Sequence, residues 1–409
     1  VDVADNKTID CSDCTLCGQC ITHCPTGALR ERDDTYKAFE ALADPEKVTV
    51  VQVAPAVRTA WGEELGLNAE EASEGKMVAA LKRIGFDYVF DTDFAADLTI
   101  MEETKEFLNR VEKGENLPLL TSCCPSWSMM AKKFFPTMID NISQELTPMV
   151  ATARKVKQEH PDAKVVFVGP CASKKLEAMR RTVRSDVDFV LTFEELDAMF
   201  DAREIDPASF EEDGSLHDAT AAGRGYAVAG GVAGAIEACL KEYYPDVPVH
   251  IEHAESLAEC KKVLALAKAG KLKGCMIEGM ACPGGCVGGG GQPIDDHVVA
   301  AHAIVRQLGG VALRQVHGKV HVAVLHQLRP LLAVRLKPEL QHVRPQTAGV
   351  IIPVGGQGRQ GLAAVRCQQQ GRRRGGVVDL NEVGDGPVAS QDDVRVGAAE
   401  AEGVDADQF

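Results

Sequence analysis

Residues 278–293 read Glu278-Gly-Met-Ala-Cys-Pro-Gly-Gly-Cys-Val-Gly-Gly-Gly-Gly-Gln-Pro293, and this stretch decides how the rest of the chain is interpreted. It holds Cys282 and Cys286 in a run too rich in glycine for an ordinary helix or strand. Glycine lets the backbone adopt left-handed conformations and come close to a bound group. Paired thiolates in such a wrapping indicate ligation of a soft metal; a flexible loop with two incidental cysteines is the alternative.

The composition predicts a large cytoplasmic protein with metal or redox chemistry. The chain has 409 residues, enough for two or three domains, and 14 cysteines. Its first residues lack the pattern of a signal peptide, and no apolar run is long enough to span a membrane. Clustered cysteines in the cytoplasm usually bind metal or do redox work, because disulfides are rare there. The net charge of −16 disfavours nucleic acid and favours a small or basic partner.

The charge changes abruptly near residue 293. Residues 1–293 carry 31 Lys and Arg against 48 Asp and Glu, a net of 31 − 48 = −17. Residues 294–409 carry 13 against 12, a net of 13 − 12 = +1, and contain no Trp or Tyr. With Phe409 as its single Phe, this stretch has little large apolar surface to offset the entropy of ordering. We expect residues 294–409 to be disordered or translated out of frame, with an unfamiliar genuine domain as the alternative.

An iron–sulfur motif lies near the N-terminus. Cys14, Cys17, Cys20 and Cys24-Pro25 have the spacing C-x2-C-x2-C-x3-C-P of bacterial ferredoxins. In two-cluster ferredoxins the fourth cysteine of such a run ligates the other cluster, and this chain has no second run. We therefore expect at most one cubane here, completed by Cys24 or by Cys11, which is otherwise a spare thiol.

Short β-rich runs alternate with helical stretches from residue 47 to residue 277. Lys47-Val-Thr-Val-Val-Gln-Val53 and Lys164-Val-Val-Phe-Val168 are typical buried strands. Such alternation predicts an α/β fold of mostly parallel sheets flanked by helices. We divide the chain into a partial ferredoxin-like module over 1–40 and a core over 45–293, with lobes at 45–155 and 163–293.

Three more cysteine motifs follow predicted strands and are expected to meet at one cleft. Cys123 and Cys124 are adjacent, so their side chains diverge and only one of them can bind a given iron. Cys171 has a lysine, Lys174, three residues on, where an ammonium stabilises thiolate. With the two cysteines of the glycine-rich stretch, these motifs supply four ligands for a cubane and one free thiol.

Three of these motifs together resemble the signatures of iron-only (FeFe) hydrogenases. They are Thr121-Ser-Cys-Cys-Pro125, Gly169-Pro-Cys-Ala-Ser-Lys-Lys-Leu-Glu177 and Glu278-Gly-Met-Ala-Cys-Pro-Gly-Gly-Cys286. The resemblance covers about residues 10–293, including the ferredoxin run. It implies reversible reduction of protons to H2 with electrons from ferredoxin or a similar carrier. The implied cofactor is a 4Fe-4S cubane joined to a two-iron unit with CO, cyanide and a dithiolate bridge, installed by maturation proteins.

The resemblance also implies roles for individual residues. Cys124, Cys171, Cys282 and Cys286 would hold the cubane, and Cys286 would be shared with the two-iron unit. The residues implied to carry protons are Cys123, Glu103, Glu106 and Ser143. The residues implied to contact the two-iron unit are Ala54, Pro55, Lys174 and Met280.

The chain departs from the family pattern at several positions. Gly169 stands where many members carry methionine, and Ala56 and Met149 stand where some carry polar partners of cyanide. The family's closing helical segment is not recognisable in residues 294–409. Two alternatives to a working hydrogenase follow: a hydrogenase-like iron–sulfur sensor or assembly protein, and an inactive truncated product.

Overall fold

The computed structural model describes residues 8–291, apart from 57–60, 63–64, 66, 69–70, 181–183, 215, 217–218 and 248–249. The expectations for residues 294–409 lie outside this range. Seven strands are described: β1 Thr49–Val53, β2 Tyr88–Asp91, β3 Leu119–Leu120, β4 Lys164–Val168, β5 Phe189–Leu191, β6 His250–Glu255 and β7 Cys275–Met280. The described helices are α1 Gln19–Thr22, α2 Thr35–Ala43, α3 Glu74–Ile84, α4 Thr92–Lys113, α5 Pro125–Phe134, α6 Pro148–Glu159, α7 Ala172–Met179, α8 Phe193–Ala202, α9 Ala221–Arg224, α10 Gly231–Tyr243 and α11 Ser256–Lys268.

The strands form two sheets, and every pairing within them is parallel. The first sheet has the order β2-β1-β4-β5, and the second has the order β3-β7-β6. Parallel neighbours need a crossover connection, which explains why a helix follows almost every strand. The predicted α/β class with parallel sheets flanked by helices is confirmed.

The central strands of both sheets are buried on both faces. Val50, Val51 and Val53 of β1 are at most 1% exposed and belong to the cluster around the first sheet. In β7, side chains alternate between two clusters, because successive residues of a strand point to opposite faces. Met276 packs with α4 and α10, whereas Ile277 packs with α5 and α11. These contacts hold the helices on the two faces of β7, and the cysteine motif of the glycine-rich stretch follows the end of this strand.

The two sheets do not follow the expected division of the chain at residues 155–163. Strands β4 and β5 join β1 and β2, while β3 joins β6 and β7. The chain therefore enters the second sheet at β3, returns to the first, and ends in the second. Crossover connections permit such returns, and the order of strands along the sequence does not reveal them.

Local sequence signals account for several element boundaries. Helix α4 begins after Asp91, whose carboxylate accepts from the N–H of Asp93 at 2.9 Å. It ends at Gly114, which has the left-handed φ of +70° that glycine adopts without strain. Pro125 and Pro148 occupy the first positions of α5 and α6, where a missing N–H costs nothing. Among the described helices, none combines the length and apolar character required to cross a membrane.

Candidate metal centre

The three cysteine motifs lie just beyond the carboxyl ends of three strands. Cys123 and Cys124 follow β3, Cys171 follows β4, and Cys282 follows β7. Since β3 and β7 belong to one sheet and β4 to the other, the motifs meet between the two sheets. This is the position where open parallel sheets bind ligands.

Cys124 and Cys171 occupy equivalent places, each at the N-cap of a helix. Cys124 precedes α5 and Cys171 precedes α7. The N–H groups of Ser126 and Trp127 point at the Cys124 sulfur and lower its pKa against the larger raising effect of burial. Unpaired N–H groups and the helix dipole both favour negative charge at such a site. The two helix starts are therefore suited to thiolates.

The glycine-rich stretch contacts segments that belong to both sheets. Gly285 has a φ of +91°, and a side chain there would come within 2.6 Å of the backbone at Ala227 and Ala229. The N–H of Ala229 donates to the carbonyl of Gly284 at 3.0 Å. On the other side, the N–H of Gly291 donates to the carbonyl of Pro170 at 2.8 Å. Close approach of backbones, which only glycine allows here, sets the positions of both cysteines in this stretch.

A cavity lies between the motifs. Cys123 and three of the four expected ligands line it: Cys124, Cys171 and Cys286. Cys282 is not among the lining residues, but it is electrostatically coupled to Cys171 and Cys124. The four expected ligands are therefore brought together.

The chemistry of these four thiols fits an iron–sulfur cluster. Burial raises the pKa of all four, and neighbouring thiolates raise it further for Cys171, Cys282 and Cys286. The pKa of Cys171 reaches about 11. Four such thiolates can coexist only with cations among them. Within the described ranges no three His, Cys, Asp or Glu side chains surround one ion site; a cubane has no such requirement, since each ligand binds a different iron.

Lys174 is the buried cation of the centre. Its ammonium donates to Glu177 at 2.5 Å and to the carbonyl of Cys123 at 3.1 Å. Burial acts to lower the pKa of Lys174, but the Glu177 carboxylate and its hydrogen bond outweigh burial and raise it. Thr147 donates to the other oxygen of Glu177 at 2.7 Å. The ammonium is thus held charged at the cavity wall.

A line of polar groups leads from the surface towards Cys123. Glu106 is half-buried and pairs with Arg110 at 2.6 Å, and the Ser143 hydroxyl donates to its other oxygen at 2.6 Å. Glu103 is fully buried, and one of its oxygens accepts from the N–H of Ser122 at 3.4 Å. Burial raises the pKa of Glu103 to about 7, although Ser143 is close enough to lower it. The Glu103 carboxyl in turn raises the pKa of the Cys123 thiol, after burial.

The other residues expected at the cofactor also line the cavity. Ala54, Pro55 and Met280 contribute apolar walls, as do Ala56 and Met149. The place that a side chain at Gly169 would need is taken by Ala54 and by the ring of Phe167, at 2.8 and 2.9 Å. The cavity is consequently more apolar than the resemblance alone suggested.

Sequence reasoning missed two residues at this centre. Tyr226 lines the cavity shortly before α10, at a position for which the sequence predicted no role in the site. Its hydroxyl is near Cys123, which contributes to raising its pKa after burial. Gln19 donates to the carbonyl of Gly288 at 2.8 Å and also lowers the pKa of Cys282. A tyrosine just before a Gly-Gly helix start was the available signal for the first; nothing in the sequence marked the second.

The N-terminal cysteines lie against the glycine-rich stretch. Burial raises the pKa of Cys20, and the thiolates of Cys17, Cys14 and Cys24 raise it further, so these four thiols form a second group. Cys17 also acts on the pKa of Cys282, so the two groups are neighbours. The Lys133 ammonium donates to the carbonyls of Ser12 and Cys14 at 2.9 and 2.8 Å, which fastens the segment to α5.

Comparison with known proteins agrees with this arrangement. Residues 47–290 match the family described as "Iron only hydrogenase large subunit, C-terminal domain", and residues 8–30 match "4Fe-4S binding domain". The chain is 38% identical to the NADP-reducing hydrogenase subunit HndD of Solidesulfovibrio fructosivorans, over 77% of this chain and 62% of that protein. It is 28% identical to cytosolic iron-sulfur assembly component 3 of Bos taurus, over 70% and 72%. A solved [FeFe]-hydrogenase HydA1 from Chlamydomonas reinhardtii, a variant, is similar with a TM-score of 0.58 and 26% identity, over 74% of this chain and 98% of that one.

Fold, cysteine groups and comparisons define an iron–sulfur protein with an α/β core and an N-terminal cluster-binding segment. The chain belongs to the family of iron-only hydrogenase large subunits. It spans about 62% of the length of the first hydrogenase relatives that it matches.

Proposed function

We propose that this chain is a hydrogenase core that reversibly reduces protons to H2 with electrons delivered through iron–sulfur clusters. The observation that carries the proposal is the series Glu106, Ser143, Glu103 and Cys123, which runs from the half-exposed surface to a cysteine-lined cavity. Proton delivery to a cluster in this cavity requires a series of groups that can donate and accept protons, and these four side chains supply one.

The cubane would be held by Cys124, Cys171, Cys282 and Cys286, with Cys286 also bound to the two-iron unit. When bound, that unit supplies the redox chemistry of H2. Lys174 would hold a cyanide through its ammonium, and the backbone at Ala54 and Pro55 and the side chain of Met280 would complete the pocket. These groups orient the cofactor and exclude water from it.

The protein's own residues would move the proton. Glu103 can release a proton near pH 7 because burial raises its pKa to that range. Ser143 can pass a proton between Glu106 and Glu103, since a hydroxyl both donates and accepts. Cys123 is the last group before the cavity and would exchange the proton there. Arg110 holds Glu106 in place at the entrance.

Electrons would enter through one accessory cubane at Cys14, Cys17, Cys20 and Cys24. The neighbouring Cys17 and Cys282 would set the shortest route to the catalytic cubane. Ferredoxin or a similar carrier is the proposed donor, the cytoplasm is the proposed compartment, and maturation proteins would install the two-iron unit.

The test is to reconstitute the cubanes, load the two-iron unit and measure two quantities. Infrared bands of metal-bound CO and cyanide report cofactor binding, and gas chromatography reports H2 production from a reduced donor. Cys171→Ala serves as the control that cannot complete the cubane. Bands and H2 in wild type, with neither in the control, are expected. Wild type that shows bands but no H2 would contradict the proposal.

A second candidate is an iron–sulfur assembly or sensor protein without H2 turnover. The similarity to cytosolic iron-sulfur assembly component 3 favours it, as do the apolar Ala56 and Met149 at the cavity wall. This candidate predicts cubane binding with no infrared bands of CO or cyanide after loading. The same experiment therefore separates the two functions.

A further inference from the structure

The tyrosine at the cavity wall has a buried hydroxyl group without a hydrogen bond of ordinary geometry. Tyr226 is 6% exposed, and the side chain that its hydroxyl approaches among the described residues is the Cys123 thiol. A buried polar group without a partner is costly, so native proteins rarely keep one without a use. Its position is fixed, because the ring packs with Ile100, Val232 and Ile236 in the cluster between α4 and α10.

Few side chains in the cavity can donate a hydrogen bond. Besides the thiols, the described lining residues with an O–H or N–H on the side chain are Thr92, Lys174 and Tyr226. Thr92 donates to Gln52 at 3.4 Å, and Lys174 is held by Glu177. Tyr226 is therefore the lining donor, among the described residues, whose hydroxyl is held by no oxygen or nitrogen acceptor and approaches only the weakly accepting Cys123 thiol.

The two remaining donors come from opposite sides of the cavity. Lys174 belongs to α7, which follows β4 of the first sheet. Tyr226 lies in the short 3-10 helix Gly225–Ala227, next to α10 on the second sheet. With Ala56 and Met149 apolar, the described lining side chains that offer an O–H or N–H to a ligand, besides Thr92, are these two.

We propose that Tyr226 is a second hydrogen-bond donor to the group bound in this cavity, opposite Lys174. This inference rests on the proposed function. The acceptor would be a terminal cyanide or carbonyl ligand of the two-iron unit. Such small, electron-rich ligands accept a hydrogen bond from a phenol, whereas apolar side chains offer them none. The hydroxyl would remain without a strong acceptor until that ligand is present.

The experiment compares Tyr226→Phe with wild type and with Tyr243→Phe. Tyr243 packs on the same cluster at the far end of α10 and does not line the cavity. Before loading, the melting temperature of Tyr226→Phe should equal or exceed that of wild type, because the substitution removes only an unsatisfied hydroxyl. After loading, at equal iron content, at least one infrared band of cyanide or CO should shift in Tyr226→Phe and none in Tyr243→Phe.

Each other outcome overturns the inference in a recognisable way. Bands that are present in wild type and unmoved in Tyr226→Phe would refute it while leaving the proposed function standing. A clear drop in melting temperature before loading would show that the hydroxyl already has a partner inside the protein. Absence of bands in wild type would overturn the inference together with the proposed function.

Discussion

Replacing Glu103 with glutamine tests the proton route at its most buried point. Burial raises the pKa of Glu103 from 4.5 to about 7, and the side chain is fully buried. At about 1.4 kcal/mol for each pKa unit, ionisation of this one group lowers the free energy of unfolding by about 3 kcal/mol. Below pH 4.5 the carboxyl is protonated in both the folded and the unfolded protein, and its burial costs no stability. As the pH rises from 4.5 through 7, the unfolded protein ionises first, and the free energy of unfolding falls.

Glutamine has nearly the same shape and does not ionise. The free energy of unfolding of Glu103→Gln, relative to wild type, should therefore increase by about 3 kcal/mol between pH 4.5 and pH 8. Denaturant titrations of cluster-free protein at several pH values measure this, with exposed Glu102→Gln on the same helix as control. A difference that does not vary with pH would refute the burial argument. In loaded protein, H2 turnover should fall by about 100-fold or more at unchanged iron content, the usual size of a lost acid–base group.

Three further predictions concern the thiols and the glycine-rich stretch. Cys123→Ser should reduce H2 turnover severely without loss of iron, because serine has too high a pKa to exchange protons near neutrality; near-normal turnover would exclude the relay role. Cys24→Ala should lower the iron content by one cubane, whereas Cys11→Ala should leave it unchanged; the reverse result would make Cys11 the fourth accessory ligand. Gly285→Ala should destabilise the protein by at least about 1 kcal/mol, since it forces a side chain into a left-handed conformation against backbone atoms. Gly234→Ala in α10 meets open space and is its control, with an expected gain of about 0.5–1 kcal/mol in the same denaturant measurement.

The strands that the sequence marked clearly are those buried on both faces. β1 and β4 consist of β-branched runs that leave no alternative to a central strand. β6, over His250–Glu255, has no comparable hydrophobic signal, because most of its residues are polar and at least partly exposed. β3 has only two residues, Leu119 and Leu120; they lie within the strand predicted over residues 117–121 and pair with β7.

The candidate site was predictable in its chemistry and less so in its surroundings. Cysteines, lysine and glycines at fixed spacings mark ligands and close turns, and the structure brings Cys124, Cys171, Cys282 and Cys286 together. Tyr226 gave no such signal, because its place at the cavity depends on how α10 packs against α4. The choice of which strands pair in each sheet, and the packing of distant helices, leave no local pattern in a sequence.

The order of the strands bears on how this protein could be taken apart. Each sheet contains strands from both halves of the chain, since β3 lies in the second sheet between the two visits to the first. A cut between β3 and β4 therefore gives no fragment with a complete sheet. Both fragments would expose parallel strands without their partners, so we expect neither of them to fold when expressed alone.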